Sequence, residues 1–416
     1  MNEDCEEWYI DNLWTRIEDG TFHSSPVHNF MANKNVSHCR NLGCSNIDSL
    51  CTPLEGYTPQ QLMSARFDIE YYLRKRSLNG SDSTDLFFVV GDVSNSQWLR
   101  MVKRKVFVSP LVKVLFKANR LLPNYQKYEI EKIPKTVVSP VYDEIFASTK
   151  MQLRFTQQEN NQGQEYLRCL GFEYNDKFVC LVVRDKAYKN SLSKDRDWSY
   201  HNYRDSDINS YSEMATALAE KGYWVFRMGK VVDEPLAVAH TRIIDYASSQ
   251  ERSDFLDVWL SARCSICITT GTGLDEISGI HGIPSVFVNL LPLTHIPLYK
   301  FSLTVPKKLI WRETGNLLNI NEYMRHAYIS ADDYQAQGID IVDLAPKEIT
   351  EAVMEMDLTI KGQTQLSTIQ LQRQEQIIQK IIELDKMNCR SIQNFRDTRA
   401  RLGSSFLDKY WDNLMV

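Results

Sequence analysis

The chain has 416 residues, of which 43% are hydrophobic and 24% charged, with a formal net charge of −5. That length holds two ordinary domains and a tail, and that apolar content excludes global disorder. The acidic balance argues against a whole-chain nucleic-acid binder, and no apolar run is long enough to span a bilayer.

Residues 1–60 read as an irregular N-terminal extension. The start, M-N-E-D-C-E-E-W, lacks the basic and apolar regions of a signal peptide, so a cytoplasmic location is expected. The nine cysteines are an odd, scattered set, which fits a reducing compartment better than a disulfide scaffold. The group His38, Cys39, Cys44 and Cys51 matches no common zinc spacing.

Residues 61–150 read as an incomplete α/β domain. The stretch 59–77 is helical in pattern, D-L-F-F-V-V at 85–90 is a short buried strand, and a helix begins near 95. Segment 95–120 holds seven Lys or Arg and no acid, interleaved with Trp98, Leu99, Val102, Phe107, Leu111, Val112, Leu115 and Phe116. Such a segment either lies on an anionic membrane surface, which would make the protein peripheral to the membrane, or is the basic solvated face of a core helix. Nucleic acid is the weaker third reading, because no other motif supports it. P-K-T-V-V-S-P at 134–140 reads as a linker.

Residues 151–345 alternate regularly. Strands are predicted at 178–183, 223–228 and 242–246, and helices at 157–170, 208–221 and 253–262. Ser253 caps the last helix, with Asp254 in its first turn. This alternation predicts a parallel, Rossmann-like sheet with helices on both faces. Past 290, P-L-T-H-I-P-L-Y and T-V-P-K-K-L-I-W read as proline-punctuated loops and edge segments. Residues 346–416 read as a helical tail.

The chain is organised around 263–289. A strand is predicted at 264–269, a turn at 270–273, a helix at 274–281 and a strand at 285–288. Gly271 and Gly273 permit a positive φ, and the helix would aim its N–H groups and positive dipole end at the turn. Such a unit binds anions, most often phosphate; the alternative is an ordinary βα connection. Cys264 and Cys267, read as strand positions three apart, would face opposite ways and form no paired site.

Open parallel sheets bind ligands beyond their carboxyl edge, so strand ends carry the candidates. Arg184 ends the first strand of this domain. A long polar loop follows, with Arg196, His201, Arg204 and tyrosines 188, 200 and 203. Arginine suits bidentate phosphate contacts; the competing reading pairs these arginines with the equally abundant aspartates. Arg184 and the turn Thr270, Gly271, Thr272, Gly273 are expected to hold one diphosphate from two sides. Arg196 and Arg204, with Tyr246, Ala247, Ser253 and Asp254, are candidates for the nucleotide or sugar. Asp275 is either a helix-dipole partner or an acceptor for a sugar hydroxyl.

The ordered motifs V-C-L-V-V-R-D-x-A-Y, R-D-W-S-Y-H-N-Y-R-D-S-D-I, R-M-G, I-I-D-Y-A, R-S-D-F-L-D-V-W-L-x-A-R-C and T-G-T-G-L-D resemble a group of bacterial glycosyltransferases associated with surface-polysaccharide synthesis. That group is distantly similar to fucosyltransferases of the two-domain GT-B fold. The resemblance implies two Rossmann-type domains with parallel sheets and a nucleoside diphosphate sugar as donor. It implies a glycan or lipid-linked acceptor, and no metal or other cofactor. A general base would deprotonate the acceptor hydroxyl if the reaction inverts, and the candidates are Asp185, His201 and Asp68. Val182-Val183-Arg184 stands where such families show His-x-Arg. Two rivals remain: a non-catalytic nucleotide-sugar-binding or scaffold relative, and a sugar-nucleotide epimerase on the same fold.

Overall fold

The computed structural model describes residues 52–55, 64–79, 84–90, 93–129, 145–146, 148–187, 199–297, 301–387 and 400–416. Arg196, Tyr188, the group His38, Cys39, Cys44 and Cys51, and the 134–140 linker lie outside them. The chain forms two compact units, one of Met1–Tyr57, Asn79–Ser94 and Leu99–Ile133, the other of Thr58–Leu78, Asn95–Trp98 and Pro134–Val416.

In chain order the first elements are β1 (Thr52–Glu55), α1 (Ser64–Asn79), β2 (Leu86–Val90), α2 (Ser96–Lys103), β3 (Phe107–Val108) and α3 (Leu111–Asn119). β1, β2 and β3 make a three-stranded parallel sheet in that order. Phe88 of β2 packs on Val112 and Phe116 of α3 in the core of the smaller unit.

The larger unit continues with α4 (Gln157–Cys169), β4 (Lys177–Val182), α5 (Ser212–Glu220), β5 (Tyr223–Arg227), β6 (Ile243–Ile244), α6 (Asp254–Arg263), β7 (Ile266–Thr269), α7 (Asp275–Ile280), β8 (Ser285–Leu290) and β9 (Ser302–Pro306). It closes with β10 (Lys308–Trp311), α8 (Ile320–Arg325), α9 (Ala331–Ala336), β11 (Ile339–Val342), α10 (Pro346–Ile360), α11 (Thr368–Met387), β12 (Arg401–Leu402) and α12 (Ser404–Met415). α4 opens on a capping box. Thr156 Oγ1 accepts the Glu159 N–H at 3.2 Å, and the Glu159 carboxylate accepts the Thr156 N–H at 2.7 Å.

Seven strands form one parallel sheet in the order β12-β9-β8-β7-β4-β5-β6. This is the α/β, Rossmann-type architecture that the alternation predicted. Strands covered on both faces must be apolar throughout, and the alternate side chains of β4 divide accordingly. Val179 and Leu181 face a core shared with α5, α10 and α11. Phe178, Cys180 and Val182 face a second core with Trp224, Phe226, Tyr246 and Trp259.

Three readings of the sequence change. The segment around T-V-P is β9, a fully buried strand inside the sheet; its proline ends the strand, where no ladder donor is needed. The tail is no appendage, because α10 packs on α5 and β8 while α11 and α12 complete the same core. Cys264 caps the end of α6 and precedes β7, so it shares one core face with Cys267 and Cys180, all as free thiols.

Two tests follow from the packing. α4 touches α6 through Gly163, where an added Cβ would lie 2.2 Å from the Trp259 ring. Gly163→Ala should therefore lower stability by about 1–3 kcal/mol in urea unfolding. His281, at the end of α7, stacks on Phe155 and bonds Ile277 O at 2.9 Å, and burial lowers its pKa from 6.5 to about 4. The unfolded chain then binds more protons between these values, so stability present above 6.5 is lost as pH falls towards 4. His281→Gln should flatten that slope when unfolding is measured across the window.

Candidate functional site

The strand order reverses next to β4. The chain runs from β4 to β5 and β6 on one side, then returns to lay β7, β8 and β9 on the other. The crevice between the carboxyl ends of β4 and β7 is therefore the topological switch point, where such sheets bind ligands. Arg184 follows β4 and the 270–273 turn follows β7.

The two strand ends are tied together. Thr270 Oγ1 accepts the main-chain N–H of Arg184 at 3.0 Å, and Thr270 N–H donates to Val182 O at 3.3 Å. Arg184 O accepts from Ser206 N at 3.0 Å. The Arg184 guanidinium, 11% exposed, donates from Nε to Asp205 Oδ1 at 3.1 Å. Arg204 Nη2 donates to Gly271 O across the same crevice. Burial, and then the neighbouring charge of Arg184, lower the Arg204 pKa to about 10. Burial raises the Asp205 pKa, against the pull of Arg184 and Lys307.

Gly271 takes a φ of +81°, and a Cβ there would come 3.0 Å from Leu290 Cδ1. The positive φ favours glycine here, and Leu290 would have to shift to admit a side chain. The turn does not bare its N–H groups, however. Gly271 N donates to Thr269 Oγ1 at 3.0 Å, Thr272 N to Asp275 Oδ1 at 2.8 Å, and Leu274 N to Thr272 Oγ1 at 3.2 Å. Gly273 lies between Thr272 and Leu274 in this turn. α7 is only six residues long. The positive character of the crevice comes from guanidinium groups rather than from a helix end.

The remaining candidates are placed as follows. Asp185 accepts from Ala187 N at 2.9 Å and Asp233 N at 3.0 Å, and lies 3.6 Å from Arg227. His201 is buried, with its ring 3.9 Å from that of Tyr200. Asp68 lies in α1. Tyr246 is fully buried, and its hydroxyl meets Asp257 at 3.1 Å and Ser253 N at 3.0 Å. Ala247 lies beside Gly229, at the carboxyl edge of β5. Ser253 caps α6 by accepting from Leu256 N at 3.2 Å. Asp254 accepts from Ser96 N at 2.7 Å. Burial raises its pKa, but that hydrogen bond, with Lys230 and Arg252 nearby, leaves it lowered.

Three residues went unread in the sequence, each a polar side chain closing an apolar strand. Arg227 ends β5, is 1% exposed, and lies 3.4 Å from Asp245. Lys307 follows β9, is buried, and pairs with Asp343 at 2.7 Å while donating to Asp205 O. Asn289 in β8 is buried with a φ of 55°. Its Nδ2 donates to Ser206 Oγ at 2.9 Å and its Oδ1 accepts from Leu344 N at 2.8 Å. Ser206 Oγ in turn donates to Asp343 at 2.9 Å. This network fixes the segment that carries Arg204 and Asp205. Among the described residues, no group of His, Cys, Asp and Glu could hold a metal ion.

Asn289→Ala would leave a buried N–H unpaired and place alanine at a left-handed φ. A loss of about 2–4 kcal/mol is expected in urea unfolding.

A scan against protein families finds no match, and a comparison with curated proteins finds none either. Among solved structures, a glycosyl transferase family 9 protein from Veillonella parvula is 9% identical. The match covers 61% of this chain and 85% of that one, at a TM-score of 0.40. The ADP-heptose LPS heptosyltransferase II of E. coli is 11% identical, with 74% of this chain and 99% of that one covered, at 0.41. E. coli heptosyltransferase WaaC with ADP is 11% identical, with 61% and 90% covered, at 0.30. These are described by glycosyl or heptosyl transfer, and the fucosyltransferase likeness read from the sequence gains nothing from them. Likenesses this loose fix neither substrate nor acceptor.

Proposed function

We propose that the protein is a glycosyltransferase moving a sugar from a nucleoside diphosphate sugar to a glycan or lipid-linked acceptor of surface-polysaccharide synthesis. The observation that carries this reading is the pairing of Arg184 and Arg204 at the switch point between β4 and β7. Two neighbouring guanidinium groups, one of them with its pKa depressed by burial, would be stabilised by a dianionic group between the strand ends. Leaving-group charge on a diphosphate is such a group, and fixed cations in a drying crevice stabilise it as it develops. Arginines in that role would make the transfer metal-independent. Asp205 would hold Arg184 in place while the anion is bound and released.

The acceptor hydroxyl would lose its proton to one of Asp185, His201 and Asp68 if the reaction inverts. Both Asp185 oxygens already accept hydrogen bonds, so an acceptor hydroxyl would have to displace one of them to reach it. That engagement, together with the occupied N–H groups of the turn, supports the rival reading of a non-catalytic nucleotide-sugar-binding relative. Release of free sugar, or its transfer, from a bound donor in vitro separates the two.

A thermal-shift screen against nucleoside diphosphates and their sugars should find a ligand that raises Tm by mass action. Arg184→Ala should keep the fold and weaken that ligand about tenfold to a hundredfold, the range of a lost charge-assisted hydrogen bond. Unchanged affinity in the variant would remove the basis of the assignment.

A further inference from the structure

The smaller unit carries a surface that the transferase reading does not use. Seven Lys or Arg occupy residues 95–120, and no Asp or Glu occurs between Asp92 and Glu129. Ordinary solvated surfaces mix both signs. Lys103, Lys105 and Lys113 are exposed, and Arg120 pairs with Glu129 at 2.8 Å. Within residues 107–122, four large apolar side chains face solvent: Phe107 at 57%, Leu111 at 47%, Leu121 at 73% and Leu122 at 56% exposed.

The placement of these four follows from the packing of α3. Val112, Phe116 and Asn119 turn into the core. Leu111 at the first position of the helix and the Leu121–Leu122 pair just beyond it are left outside, and Phe107 stands on the outermost strand, β3. Single exposed leucines need no explanation. Four in sixteen residues, among lysines and without an acid, combine the two forces that hold a protein on an anionic bilayer. Basic heads are drawn to the surface potential, and apolar side chains enter the boundary between headgroups and acyl chains.

We infer that this basic, leucine-bearing surface of the smaller unit docks on an anionic lipid bilayer. Charge alone would also fit a nucleic acid, but three of the four exposed apolar side chains are aliphatic and offer no flat face for base stacking. The inference stands apart from the donor site, which lies in the larger unit.

Flotation of the full chain tests it, with vesicles of phosphatidylcholine alone and of phosphatidylcholine with phosphatidylglycerol. The protein should rise with the second and stay behind with the first, and added salt should release it. Reversing three charges, as Lys103→Glu, Lys105→Glu and Lys113→Glu, should cut vesicle binding roughly tenfold or more. Leu121→Ser with Leu122→Ser should also cut it roughly tenfold, with Tm and nucleotide affinity unchanged. Arg184→Ala should float like the parent, so failure here and failure of the transferase reading are separable. Equal flotation of parent and both surface variants, or equal binding to neutral vesicles, overturns the inference. Tight capture by a single-stranded oligonucleotide that ignores the leucine changes also overturns it, in favour of nucleic acid.

Discussion

A threonine hydroxyl holds the site together. Thr270 Oγ1 accepts the main-chain N–H of Arg184 where β4 and β7 part, in place of the next rung of the ladder. The bond ties the two strands one residue beyond the Thr270 N–H to Val182 O contact, and the Arg184 guanidinium meets Asp205. Everything at the carboxyl edge is then referenced to this point. Ser206 bonds to Arg184 O, Asp205 meets the guanidinium, and Arg204 reaches back to Gly271.

The two groups of strand-end arginines show how similar residues take different roles. Arg227 is buried between Asp185 and Asp245, two carboxylates for one guanidinium. Burial lowers its pKa while both acids oppose that, which is the signature of a structural ion cluster. Arg184 and Arg204 lie side by side instead, with Asp205 bonded to Arg184 and Asp275 also acting on Arg204. Under the proposed function, a bound diphosphate would add its own negative charge beside this pair.

Much of the larger unit was legible in its sequence. Its apolar runs, F-V-C-L-V-V and S-V-F-V among them, fall in strands buried on both faces, and Ser253 marks a helix start that the structure keeps. The nearness of Arg184 to the glycine turn was also legible, because two strand ends in one parallel sheet share an edge. What could not be read depended on partners distant in sequence. Asn289 matters because Ser206 and Leu344 arrive beside it, and no local pattern announces that. The β9 segment reads as loop and edge because proline suggests punctuation, whereas here proline stands at the last position of a core strand. Arg204 looked like one of several loop arginines until the fold brought it to Gly271.

The contribution of α10, α11, α12 and β12 to the main core bears on how the chain reaches its native state. One face of the great sheet is sealed by segments made more than a hundred residues after β4. During synthesis the strands from β4 to β9 must wait, with that face wet, until these helices leave the ribosome. Domains fold as units once their parts are present, so the core of this one cannot close before those helices arrive. A nascent chain stalled before α10 would display the apolar strands as a template for aggregation.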